Sequence, residues 1–495
     1  MVAQRVSTAT PTPTALLPSA TPPPITATPT PAASWTASAT ATASLPSTAT
    51  PTLPSPTPAI WVREMSLSLL TYPYEAYLRA DVDPLYNIPF RWLDRGAYDA
   101  ARPVPAPRLW RAIVLENAYL RLTVLPELGG RLYECVFKPA GRNIFYQNAV
   151  LKPSYWGPLA RERNWWLAAG GMEWAFPVQE HGYEWGEAWQ SEVRVESSRV
   201  AVIVRDSVAP DRPQVQLEIS LAAGEAAFQV SPRLMNPTNR ELPIQFWVNA
   251  ALTLGAERVP PDAEFAIPAS EVIVHSRGDP ALPGEGSAMP WPIAAGRNLA
   301  RYSEWTNWLG FFVPDLQADF VAASSRQTGL GVARIFPRAT VPGVKLFAFG
   351  QDFSDRASYT DDGSDYFEIW GGPNRTFWDH DRLILPAGGA FGWTEVWGVF
   401  AEIGKIEYAN EHVVLHVAAH WDRAVLGIAS SRARTVQVVI TQGERELYRG
   451  ATVVAPASPW RQELDLRGAE LAGAQVRILD DAGNPLATYV VPERA

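Results

Sequence analysis

The stretch QVQLEISL, residues 214–221, sets Val215, Leu217, Ile219 and Leu221 on one side of an extended chain and Gln214, Gln216, Glu218 and Ser220 on the other. Successive side chains of a strand point to opposite faces, so this alternation marks a half-buried antiparallel strand. LRLTVL (120–125), VRVESSRVAVIVRD (193–206) and RIFPRATVPGVKLFAFG (334–350) repeat the pattern. Turn clusters such as PELGG (126–130), PAGRN (139–143) and NPTNRE (236–241) separate such runs. No long segment of 3.6-residue period competes with them. The expected class between residues 60 and 403 is therefore all-β, with sheets stacked on one another because no helical layer is available to cover them.

The flanks read differently. Residues 1–59 are almost entirely Thr, Pro, Ala and Ser, too poor in apolar bulk to offset the entropy of ordering, and are expected to form a disordered stalk. Such stalks hold domains away from a surface. An extracellular or cell-surface location is therefore expected, although MVAQRVSTAT shows no export signal and a cytoplasmic location stays compatible. No run is long and apolar enough for a transmembrane helix. Residues 404–495 carry short alternating runs, among them HVVLHV (412–417), RTVQVVI (434–440) and LATYVV (486–491). They predict a small Ig-like accessory β-sandwich. His412, His416 and His420 recur at spacing four; on a strand they share one face, too widely spaced to chelate, and a solvated face is expected.

Composition narrows the partners. The 495 residues are 47% hydrophobic and carry a formal net charge of -9, which disfavours nucleic acid and anionic membranes as partners. The single cysteine, Cys135, lies in the apolar run RLYECVF and reads as a core residue. No cofactor signature is present, and no metal site is expected. The 20 tryptophans point elsewhere, because indole rings stack well on the C–H faces of sugars.

Longer segments carry a family resemblance. LENAYLRLTVLPELGGRLYECVFKPAGRNIFYQNAVLKP (115–153), GGMEWAFPVQEHG (170–182), NPTNRELPIQFWVNAA (236–251), KLFAFG (345–350) and YFEIWGGPNRTFWDHDRLILPAGGAFGWTEVW (366–397) appear in that order. Together they resemble an uncharacterised domain family related to galactose mutarotase. The resemblance implies a galactose mutarotase-like β-supersandwich whose concave face binds carbohydrate. It leaves the reaction open, since one fold hosts many sites.

Interconversion of sugar anomers needs one group to take the proton of the anomeric hydroxyl and another to protonate the ring oxygen. His181, in a loop opened by Gly170 and Gly171, is the candidate acid, with Glu173, Trp174 and Trp166 as substrate contacts. Glu368 in YFEIWGG and Glu395 in GWTEVWG are the candidate bases, each a lone carboxylate in an aromatic strand where desolvation favours the neutral form. Arg375 is a further candidate substrate contact, and a structural pairing with an arginine such as Arg375 fits either glutamate as well. Where mutarotases carry a second histidine, FWVNAALT has Asn249, which can hold a sugar hydroxyl but cannot exchange a proton. His275 and His380 are possible substitutes, in segments that read as solvated loops. Arg131 follows a glycine pair and suits a sugar hydroxyl or an ion pair with Glu127 or Glu134. Glu180, His181 and Glu184 form a minor calcium option, without the dense Asp/Asn loop that cation favours. Two functions stay open at this point: an epimerase-like or glycan-cleaving enzyme, and a non-catalytic carbohydrate-binding or adhesive module.

Overall fold

In a computed structural model the chain is described over residues 60–154, 165–420, 423–465 and 471–493, with the side chains of Ala419 and His420 left aside. The stalk expected at 1–59 lies outside the described residues. Strands dominate, at 53% against 5% helix, so the all-β expectation holds. Among the described residues the only α-helix is Arg95–Ala101, whose first turn is capped by the Asp94 carboxylate accepting from Ala97 N.

Alternation builds two large sheets that share one core. The larger contains β1 (Arg131–Phe137), β2 (Met172–Ala175), β3 (Trp247–Leu252), β4 (Glu271–Arg277) and β5 (Leu309–Phe312). The second sheet contributes β6 (Leu330–Ile335); β7 (Gly343–Ala348) and β8 (Phe367–Gly372) return to the first, and β9 (Glu395–Ala401) pairs with β6. Within the larger sheet these strands run in the order β4-β5-β7-β8-β3-β2-β1.

One face of that sheet sends Leu132, Met172, Trp174, Val248, Ala250, Leu346, Phe367 and Ile369 into the core. The second sheet meets them with residues such as Val202, Val204, Leu217, Ile219, Val332 and Val399. The odd-numbered neighbours on β2 and β3 and the even-numbered one on β8, Glu173, Asn249 and Glu368, therefore point the other way. This parity creates the candidate site.

A charged pair is also locked between the sheets. Arg334 on β6 and Glu395 on β9 are fully buried, with Arg334 Nη2 donating to Glu395 Oε2 at 2.8 Å and the indoles of Trp393 and Trp397 donating to the same carboxylate. The guanidinium fits because Gly371 on β8 has no side chain; a Cβ there would lie 1.9 Å from Arg334 Cζ.

The C-terminal segment folds as two four-stranded antiparallel sheets around their own core, which includes Leu415, Leu426, Val438, Val476 and Ile478. A further apolar cluster joins it to the large sheets through Phe320, Phe400, Ile403, Ile406, Val414 and Ala429. The described residues accordingly form one compact unit. On the strand Val413–His420 the solvated-face expectation fails for His416, which is buried and whose Nδ1 lies 3.0 Å from Glu407 Oε2. Cys135 is buried, and burial pushes its thiol far above the ordinary range, in keeping with a core role.

Candidate functional site

Strand register assembles the site. Phe312 on β5 pairs with Lys345 on β7, Lys345 with Trp370 on β8, Trp370 with Asn249 on β3, and Asn249 with Glu173 on β2. This row crosses five adjacent strands on the face turned away from the core. A cavity of about 740 Å³ opens over it, walled by Trp166, Trp308, Phe347, Phe377, Trp378 and Trp370, with polar groups from Glu180, His181, His275, Lys345 and Glu368. An aromatic hollow with few convergent polar groups is the usual form of a small-molecule site.

At one end, Glu173 is the hub. It accepts from Arg131 Nη2 at 2.6 Å, from Trp166 Nε1 at 3.2 Å and from His181 Nδ1. The Asn249 amide bridges the two carboxylates, reaching Glu173 Oε1 at 3.4 Å and donating to Glu368 Oε1 at 3.2 Å. Trp370 Nε1 donates to the other oxygen of Glu368 at 2.8 Å. The His181 ring lies between Trp166, at 4.6 Å between centroids, and Trp370, at 5.0 Å. Arg131, Glu173, Asn249 and Glu368 also line a narrow cleft adjoining the cavity.

At the other end Glu180 faces two bases. Its Oε1 lies 3.2 Å from His275 Nε2 and 3.8 Å from Lys345 Nζ. The ammonium of Lys345 sits 4.3 Å from the Trp370 ring and 4.7 Å from that of Phe377, within cation–π range. His275 is turned inward at a register shift between Val274 and Ser276, a bulge that re-aims a strand side chain.

Burial and pairing set the charges. Burial opposes ionisation of Glu173, but the Arg131 and His181 charges and hydrogen bonds outweigh it and hold this carboxyl at about 2. Glu368 goes the opposite way: burial raises it, and Lys345 and His181 only partly compensate. Lys345 is lowered by burial despite Glu180 and Glu368. His275 is pushed down to about 2 by burial and by the Lys345 charge, so its imidazole is neutral.

Several sequence expectations meet here. His181, Glu368 and Trp166 line the cavity, and Glu173 and Asn249 join the first two into one network. Others are corrected. Glu395 belongs to the second sheet and is spent on Arg334 between the layers, so it cannot act as the base. Trp174 faces the core, because alternation forbids it from sharing the face of Glu173; its Nε1 donates to Gly130 O. Arg375 is exposed and donates to Pro314 O, pairing with neither glutamate. Arg131 pairs with Glu173 instead of Glu127 or Glu134, and at 1% exposure it holds that carboxylate instead of reaching the open cavity. The calcium option dissolves because Glu184 turns to Arg212 at 2.9 Å while Glu180 turns to His275. Among the described residues no group of three or more His, Cys, Asp or Glu is placed to hold a metal ion.

Of the two substitute histidines, His380 is solvent-exposed on a short turn, as expected. His275 is a cavity residue, contrary to the loop reading. Lys345 and Glu180 were not foreseen as cavity groups. The available signal for Lys345 was a lone lysine inside the apolar run VPGVKLFAFG (341–350).

The family model described as "Domain of unknown function (DUF5107)" matches residues 91–382, and the chain belongs to that family. A second model, "YphG-like protein, second domain", matches residues 408–489. Among solved structures the chain is similar to a TPR-domain containing protein from Parabacteroides distasonis, at 22% identity and a TM-score of 0.59, over 72% of this chain and 57% of that one. The chain thus spans little more than half of that relative, and the likeness is one of fold. It is also similar to a galactose mutarotase-like protein from Clostridium acetobutylicum (11% identity, 59% of this chain, 96% of that chain, TM-score 0.41). A galactose 1-epimerase from Lactobacillus acidophilus matches at 15% identity, 59% of this chain, 95% of that chain and a TM-score of 0.40. Likenesses of that extent carry no functional weight. No helix among the described residues is long and apolar enough to cross a membrane.

Proposed function

We propose that the protein recognises carbohydrate in the aromatic cavity and acts on it by general acid–base chemistry, with His181 and Glu368 as the exchanging groups. The observation that carries this reading is the network in which Glu173 and Asn249 hold His181 and Glu368 at one aromatic-walled hollow. With Nδ1 donating to Glu173, Nε2 is the nitrogen suited to exchange a proton with a sugar oxygen. Burial raises the Glu368 carboxyl above its ordinary value, the direction of tuning a general base needs. In anomer exchange one of the pair removes the anomeric hydroxyl proton while the other protonates the ring oxygen, which opens the ring; the same steps in reverse close it on either face.

The test is anomer exchange and glycan turnover on a sugar panel, followed by NMR. His181→Ala and Glu368→Gln should each lower kcat/KM by about 100-fold or more. Rates equal to those of the parent chain would remove these residues from the chemistry.

A second reading, a binding module without turnover, is favoured by Asn249. Its amide occupies the position between the two carboxylates and cannot exchange a proton. Glycan binding by calorimetry with no product formed would select it.

A further inference from the structure

We propose that the cavity contains two sugar subsites divided by the Trp370 indole, so that its ligand is a glycan end of at least two linked units instead of a free monosaccharide. The inference rests on the carbohydrate reading above and adds the size of the ligand to it.

Its basis is the split of polar groups along the cavity. Trp370 stands 5.0 Å from the His181 ring and 4.3 Å from Lys345 Nζ, so one indole borders both groups. On the first side lie His181 and Glu368, with Asn249 behind them in the adjoining narrow cleft. On the second lie Glu180, His275 and Lys345.

Each side offers a buried acceptor with no protein partner. On the first it is Asn249 Oδ1, in the narrow cleft that shares Trp166, Tyr366 and Glu368 with the main cavity. On the second it is His275 Nδ1: the ring is neutral and its Nε2 lies 3.2 Å from Glu180 Oε1, so the tautomer with its proton on Nε2, facing the carboxylate, leaves a lone pair on Nδ1. A buried acceptor left unpaired is costly, and ligand hydroxyls are suitable donors. The Lys345 ammonium has three N–H groups and one carboxylate neighbour at 3.8 Å, so donors are available beside that acceptor. A sugar ring, carrying donors and acceptors together, matches both sides. The volume agrees: about 740 Å³ lies in the upper part of the roughly 300–1,000 Å³ typical of small-molecule pockets, well beyond one ring. Trp378, 5.4 Å from Phe312 between ring centroids, extends the aromatic wall on the side of His275.

Titration calorimetry on the full chain with monosaccharides and the disaccharides and trisaccharides built from them tests this. A disaccharide should bind at least tenfold more tightly than either constituent sugar. His275→Gln and Lys345→Met should each reduce that advantage to threefold or less, losing more on the disaccharide than on the monosaccharide, with a thermal melt reporting whether each variant is folded. Equal affinity for mono- and disaccharides in the parent chain would overturn the two-subsite proposal while leaving the carbohydrate reading standing. Binding of no sugar of any length would overturn both.

Discussion

Glu173 meets an arginine, an indole, an imidazole and an amide through two oxygens, and is buried while doing so. Its carboxyl is held at about 2 against an ordinary 4.5, so the folded state binds its proton more weakly than the unfolded chain. Stability from this group is fully present above about pH 4.5 and is lost as pH falls toward about 2; its size is of the order of 3 kcal/mol. Glu173→Gln should lower the melting temperature at neutral pH, and the gap to the parent chain should narrow from about pH 5 to about pH 3. A constant gap would contradict this. Glu368 is shifted upward, so if it serves as base, kcat/KM should rise with pH through a value above the usual carboxylate range, and Glu368→Gln should abolish that limb.

Glu395 gives a contrasting case at the same scale. Glu395→Gln strands a buried guanidinium, and denaturant unfolding should show a loss of about 3–5 kcal/mol. Sugar affinity should stay within twofold of the parent value. A large affinity loss with stability intact would return Glu395 to the site.

At the scale of elements, the site depends on β1, β2 and β3 keeping their register. Gly171, which leads into β2, has a φ of +74°, and a Cβ there would lie 2.7 Å from Leu132 O and 2.9 Å from Tyr133 Cα on β1. Both the backbone angle and the space require glycine. Gly171→Ala should cost about 1–3 kcal/mol and should also weaken sugar binding, because β2 carries Glu173. Unchanged melting and binding would show that the strand relaxes freely.

For the whole molecule, the C-terminal sandwich supplies half of an apolar cluster. Ending the chain at residue 403 would uncover Phe320 and Phe400, now covered by Ile406, Val414 and Ala429. Such a chain should melt at lower temperature and scatter more light on heating, since exposed apolar patches promote association. Equal melting would mean that the two parts are energetically independent.

Alternation by itself determined the all-β class and the face each residue takes within its strand, because side-chain direction in a strand is local. It turns Glu368 away from Phe367 and Ile369, and the strand keeps them on opposite faces. The same rule, applied across adjacent residues, separates Glu173 from Trp174. Only the tertiary structure decided which sheet a strand joins and in what register, since these depend on partners distant in sequence. Glu368 and Glu395 look alike as lone acids in aromatic strands, yet one faces the cavity and the other meets Arg334 between layers. Lys345 and His275 become site residues only when β7 is set beside β8 and β4 beyond β5 in the same sheet, where long-range hydrogen-bonded pairing and a local bulge aim them at one hollow.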